Sequence, residues 1–107
     1  MSYEKIVSLE EAPAEGTGKK IVFKHSYTEF IYELALFQID GKYHALTNQC
    51  KLCEGSLGDG IILGKYVACN KENCQWSIKK GICKFNHSNV TPSYKVTVEE
   101  DGLYAQL

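Results

Sequence analysis

Four of the five cysteines in this 107-residue chain stand in two close pairs, Cys50-x2-Cys53 and Cys69-x4-Cys74, with fifteen residues between the pairs. A thiolate is a soft, strongly donating ligand. Two loops that each offer two thiolates can close around one metal ion or a small iron–sulfur cluster. The sequence around each pair is polar and turn-forming, NQCKLCEGSLGDG at the first and ACNKENCQWS at the second. Scattered structural cysteines seldom fall into such a pattern. The competing reading is two pairs of free or disulfide-linked thiols. An odd total of five cysteines argues against a disulfide framework. The pattern points to a site and leaves the metal that fills it open.

The remaining reactive residues carry simpler readings. Cys83 follows Gly81 in the strand-like stretch IKKGICKF and reads as a small buried hydrophobe, not a fifth ligand. His25, His44 and His87 stand alone outside both loops and read as surface or satisfied histidines. Lys71-Glu72 and Lys79-Lys80 read as solvated turns, with a docking rim near the site as the second reading. No Gly-rich phosphate loop, paired catalytic carboxylates or Cys-His dyad is present.

Composition narrows the class. The chain has 12 basic and 13 acidic residues and a net charge of −1, so no broad field favours nucleic acid or an anionic membrane. No apolar run approaches the length of a transmembrane helix. The start, MSYEKIVSLEEAPAEG, is polar and acidic, unlike a secretory signal peptide. The expected location is therefore the cytoplasm, where thiols stay reduced and metal ligation is favoured over disulfides. The length suits one domain, residues 1–107, with its own core.

The elements that must position the cysteines read as β-structure. A short apolar stretch at Tyr3–Ser8 precedes a loop, EAPAEGTGKK, and a strand at Ile21–Lys24. The apolar run Phe30–Ile39 alternates only in part, but its aromatics and the Asp40-Gly41 turn favour a strand that returns through Lys42–Leu46. Ile61–Leu63 and Tyr66–Ala68 flank the turn Gly64-Lys65. Trp76–Ile78 and Ile82–Phe85 flank Lys79-Lys80-Gly81. The end alternates at Tyr94, Val96 and Val98, turns at Asp101-Gly102 and returns through Leu103–Ala105. Short strands with regular turn signals predict an all-β sandwich or barrel, with a metal- or cluster-binding subdomain of two loops at about residues 47–80.

The order of these features resembles a Rieske-type ferredoxin domain nearly end to end. Cys53-Glu54-Gly55-Ser56-Leu57-x-x-Gly60 resembles the family's H-x-G-x-x-L-x-x-G, with Cys53 at the histidine place. Val67-Ala68-Cys69 resembles the approach to the second loop, and Cys74-Gln75-Trp76-Ser77-Ile78-x-x-x-Gly81 the histidine, aromatic, strand and glycine turn that follow. The departures lie at the ligands. The family pattern is C-x-H and C-x2-H, whereas here both histidine places hold cysteine and both loops are longer, by one residue and by two. A cysteine sulfur lies closer to its backbone than a histidine ring nitrogen does, so the backbone must approach the metal. Longer loops give it that freedom. The insertions look coordinated with the ligand exchange, and no histidine lies in either loop.

Two fillings follow. The resemblance implies a [2Fe–2S] cluster, with Cys50 and Cys69 on one iron and Cys53 and Cys74 on the other. Alternatively, all four sulfurs gather on a single Fe or Zn, as C-x2-C with Gly55 two residues later suggests. The resemblance implies an electron carrier that serves a reductase and a terminal oxidoreductase and does no bond chemistry itself. A zinc-stapled binding or adaptor module is the competing class, and the small subunits of nitrite reductases share the fold and can lack a cluster.

Overall fold

The computed structural model describes residues 3–72 and 74–106. The strands are β1 (Tyr3–Val7), β2 (Thr17–Lys24), β3 (Ile31–Ile39), β4 (Lys42–Thr47), β5 (Ile61–Leu63), β6 (Tyr66–Ala68), β7 (Gln75–Ser77), β8 (Ser93–Tyr94), β9 (Val96–Glu99) and β10 (Gly102–Gln106). They form three antiparallel sheets, ordered β1-β10-β9, β2-β3-β4-β8 and β5-β6-β7. Among the described residues the only helical element is a 3-10 turn at Leu9–Glu11, and no helix is long and apolar enough to cross a membrane. The expected all-β architecture is the one found.

β3 is the spine. It pairs with β2 from Thr17↔Gln38 to Lys24↔Ile31 and with β4 from Leu34↔Thr47 to Ile39↔Lys42. Leu34 and Leu36 enter one core with Ile6, Val7, Ile21, Ala45, Leu103 and Ala105, between the first two sheets. Ala35 and Phe37 enter a second core with Leu46, Val67, Trp76 and four of the cysteines, Cys50, Cys53, Cys69 and Cys83. A strand covered on both faces needs no polar alternation, which explains the unbroken run Leu34-Ala35-Leu36-Phe37. The turn from β3 into β4 places Asp40 at φ 53° and Gly41 at φ 74°, the left-handed pair that a tight hairpin demands.

Three local expectations are corrected. β2 begins at Thr17, inside the segment that reads as a loop. Gly18 stands in the strand because the ring of Phe37 crosses it: a Cβ there would lie 2.4 Å from two ring carbons. Ile82–Phe85 is not a strand. Its β pairing among the described residues is limited to the isolated bridges Trp76↔Cys83 and Ile82↔Val90. The alternating tail divides at Lys95, with β8 joining β4 through Ala45↔Tyr94 while β9 joins β10.

Candidate metal centre

The first cysteine loop leaves β4 and is organised by one side chain. Asn48 is 3 % exposed, and its Oδ1 accepts the Gly58 amide at 2.7 Å and the Ser56 hydroxyl at 3.1 Å. Its Nδ2 donates back to Ser56 Oγ at 3.0 Å. Within the loop the Glu54 amide donates to the Cys50 carbonyl at 2.9 Å and the Cys50 amide to the Gly55 carbonyl at 2.8 Å. Glu54 sits in the left-handed region at φ 63°, which reverses the chain directly after Cys53. Gly60 ends the loop where β5 meets β6. A Cβ at that position would lie 1.9 Å from the Ala68 carbonyl oxygen, so only glycine permits the two cysteine-bearing segments to approach so closely.

The second loop joins β6 to β7 and is closed by the Cys69 amide donating to the Cys74 carbonyl at 3.0 Å. Asn70 ties it to the first: its Oδ1 accepts the Ser56 amide at 2.8 Å, and its amide donates to the Ser56 carbonyl at 3.3 Å. Asn48 and Asn70 are absent from the residues singled out by pattern. Their signal is that each lies next to a cysteine pair and can satisfy loop amides that no strand ladder reaches.

These loops bring the four predicted cysteines together. The Sγ atoms of Cys50, Cys53, Cys69 and Cys74 all lie within 4.8 Å of one another, and Cys53 and Cys69 are 3.0 Å apart. All four are free thiols; three are buried, and Cys74 is half-buried at the edge. Cys83 is buried in the same core but outside the quartet, and none of the three histidines enters it.

Several groups are aimed at the sulfurs. The buried Trp76 indole N–H donates to Cys50 Sγ at 3.3 Å, and the Cys74 amide donates to Cys69 Sγ at 3.4 Å. Burial opposes ionisation of Cys69. Hydrogen bonds from the Cys53 thiol and from the Glu72, Lys71 and Cys74 amides outweigh it and bring the Cys69 thiol down to about 6. Burial, with the neighbouring thiols, pushes Cys53 and Cys74 up. A thiol that ionises readily beside thiols that hold their protons is a donor set that a soft cation completes, because the metal takes the place of the protons those thiols retain.

The sulfur spacing fits a metal. A tetrahedral ion with metal–sulfur bonds of about 2.3 Å sets its sulfurs roughly 3.8 Å apart. The quartet brackets that edge, with a near pair at 3.0 Å and no pair beyond 4.8 Å.

No protein-family model and no curated protein sequence matches the chain. Solved structures do. The ferredoxin of Sphingomonas yanoikuyae B1 superposes with a TM-score of 0.80 at 20 % identity, covering 99 % of both chains. A chain from the complex of reduced oxygenase and oxidised ferredoxin in carbazole 1,9a-dioxygenase superposes with a TM-score of 0.76 at 16 % identity, covering 96 % of this chain and 91 % of the other. A candidate NADH-dependent nitrite reductase small subunit from Mycobacterium tuberculosis gives 0.77 at 18 % identity, covering 99 % and 96 %. At these identities the likeness is one of fold: the chain has the Rieske-type ferredoxin fold, with four clustered cysteines in its two site loops.

Proposed function

We propose that this protein is a one-electron carrier whose Cys50, Cys53, Cys69 and Cys74 hold a redox-active iron centre. The observation that carries the reading is the convergence of four thiols, within 4.8 Å, in the loop pair of a ferredoxin fold. An iron bound there supplies reversible one-electron chemistry. The chain supplies the ligands, the donors aimed at Cys50 and Cys69, and a buried setting that limits water.

Of the two fillings, the sulfur spacing favours a single tetrahedral iron. Two irons bridged by sulfides must hold thiolates at opposite ends of the cluster, well beyond the edge of one tetrahedron. No pair in this quartet is spread beyond 4.8 Å. The division of the ligands two and two between the loops of a Rieske-type fold favours the four-thiolate [2Fe–2S] cluster as the second reading. Likeness to a chain of an oxygenase–ferredoxin complex supports a reductase and a terminal oxidoreductase as partners, and free thiols suit the reducing cytoplasm.

The test is metal and acid-labile sulfide analysis of anaerobically purified protein, with electron paramagnetic resonance before and after dithionite. Iron without sulfide marks the single ion, and equal iron and sulfide the cluster. A colourless protein that retains zinc through iron-replete expression would overturn the electron-carrier reading in favour of a structural module.

A further inference from the structure

The chain is nearly neutral as a whole, yet its charges are sorted. A cavity of about 630 Å³ opens between the β3–β4 hairpin, the start of β6 and the 77–87 segment, and no quartet cysteine lines it. Its floor is Ile39, Tyr66, Ile78, Ile82 and the wall of Cys83. Its rim carries Lys42, Lys65, Lys79, Lys80 and Lys84 with His44 and His87, against a single acid, Asp40. A second concavity of about 650 Å³ shares Lys42, His44 and Lys79, adds Lys95 and is lined by no acid. One continuous strip therefore holds six of the twelve basic residues and one of the thirteen acidic ones.

Among the described residues no lysine of the strip makes an ion pair; the pairs that form there occupy Lys5, Lys20 and Lys24. Burial first, then the positive charges of Lys79 and Lys42, lower the pKa of His44, which reports the sign of the local field. Lys84 lies 5.3 Å over the Tyr66 ring and 5.8 Å from the ring of Phe85, which is 70 % exposed at the strip's edge. An exposed aromatic set among lysines around an apolar floor has the make-up of a protein-docking face. The strip spans two neighbouring concavities, which suits an extended partner better than a small anion.

The wall also leads inward. Cys83 forms an antiparallel bridge with Trp76, and the Trp76 indole reaches Cys50 Sγ at 3.3 Å. We propose that this lysine strip is the docking face for the acidic surface of a redox partner protein, and that the electron crosses between face and centre through Trp76. The inference rests on the electron-carrier reading above and adds to it the face, the partner's charge and the route.

Two measurements test it. In the first, iron-loaded, dithionite-reduced protein is mixed in stopped flow with ferricyanide, which takes one electron from the reduced centre and becomes ferrocyanide, or with a cationic cobalt(III) complex, which takes one electron and becomes cobalt(II). The ferricyanide rate is expected to fall about tenfold in Lys80→Glu/Lys84→Glu at low salt, and the cobalt rate to rise, with both effects vanishing as salt screens the strip. Lys51→Glu, in the first cysteine loop, is expected to move both rates less. In the second, amide shifts are followed while poly-glutamate is added. They are expected at residues 65, 79, 80 and 84 and not at 99–101, whatever metal is bound. Rates indifferent to the strip's charge, or governed by Lys51→Glu, overturn the inference and leave the electron-carrier reading standing. Poly-glutamate shifts elsewhere overturn the docking face. Saturation by free phosphate or citrate as tight as by poly-glutamate also overturns it, in favour of a small-anion site. Protein that takes up no redox-active iron overturns the electron-carrier reading and the electron route, while the poly-glutamate titration still decides the docking face.

Discussion

An indole N–H aimed at a thiolate favours the more negative state of that sulfur. Trp76 is fully buried and donates to Cys50 Sγ at 3.3 Å, so in the proposed iron centre it would stabilise the reduced state over the oxidised one. Trp76→Phe keeps the ring and removes the donor. Taking the bond as stronger in the reduced state by at most on the order of 1 kcal/mol, the midpoint potential should fall by up to about 40 mV for a one-electron couple. Film voltammetry reads this directly, and an unchanged potential would mean that the bond is not felt by the centre. Cys83 tests the opposite case. It is 1 % exposed, packed in the same core and outside the quartet. Cys83→Ser should leave the metal-to-protein ratio intact while costing about 1–3 kcal/mol in urea unfolding, because its hydroxyl is buried without an assured partner. Serine at any one of the four quartet positions should instead lower metal content sharply. Both the quartet and the exclusion of Cys83 are legible in the sequence, since spacing separates paired loop cysteines from one in an apolar stretch. The Trp76 donor is not, because an aromatic after a site loop reads equally as core.

The elements around the site are short, and side chains do the work that ladders do elsewhere. Asn48 stands one residue beyond β4 and satisfies the Gly58 amide and the Ser56 hydroxyl from within the core. Asn48→Ala leaves the Gly58 N–H buried and unpaired, a loss of about 1–3 kcal/mol. The loop that carries Cys50 and Cys53 then loses its anchor, and metal affinity should drop by roughly 10–100-fold. Competition against a chromophoric chelator would measure it, and wild-type affinity in the variant would refute the anchoring role. The strands themselves were mostly readable, because β-branched and aromatic runs between Gly and Asp-Gly turns mark them. Where the structure departs from the local signal, a tertiary contact overrides it. Gly18 looks like a loop residue until the Phe37 ring is placed across it, and Ile82–Phe85 looks like a strand until no neighbour offers it a ladder. Asn48 is a single polar residue whose burial no local pattern announces.

At the scale of the whole molecule the two cores divide the labour. The core between the first two sheets draws on Ile6, Ile21, Leu34, Leu36 and Leu103 and contains no cysteine. The other contains Cys50, Cys53, Cys69 and Cys83, with Cys74 packed against it, and the three-residue strands β5, β6 and β7 give it Ile62, Val67 and Trp76. β3 belongs to both. Metal binding contributes folding free energy where its ligands lie, so its removal should loosen the second core and leave the first intact. The loosening should reach past the loops into the small sheet, because Val67 and Trp76 share their packing with the ligands. Hydrogen exchange on metal-loaded and chelated protein should show faster exchange at residues 48–60 and 66–77. Protection should persist along Thr17–Lys24 and Gly102–Gln106, with most of the far-ultraviolet β signal retained. A cooperative loss of all β signal on chelation would show that the cysteine-free core cannot stand alone. Unchanged exchange at 66–77 would show that the small sheet is held by its apolar packing without the metal.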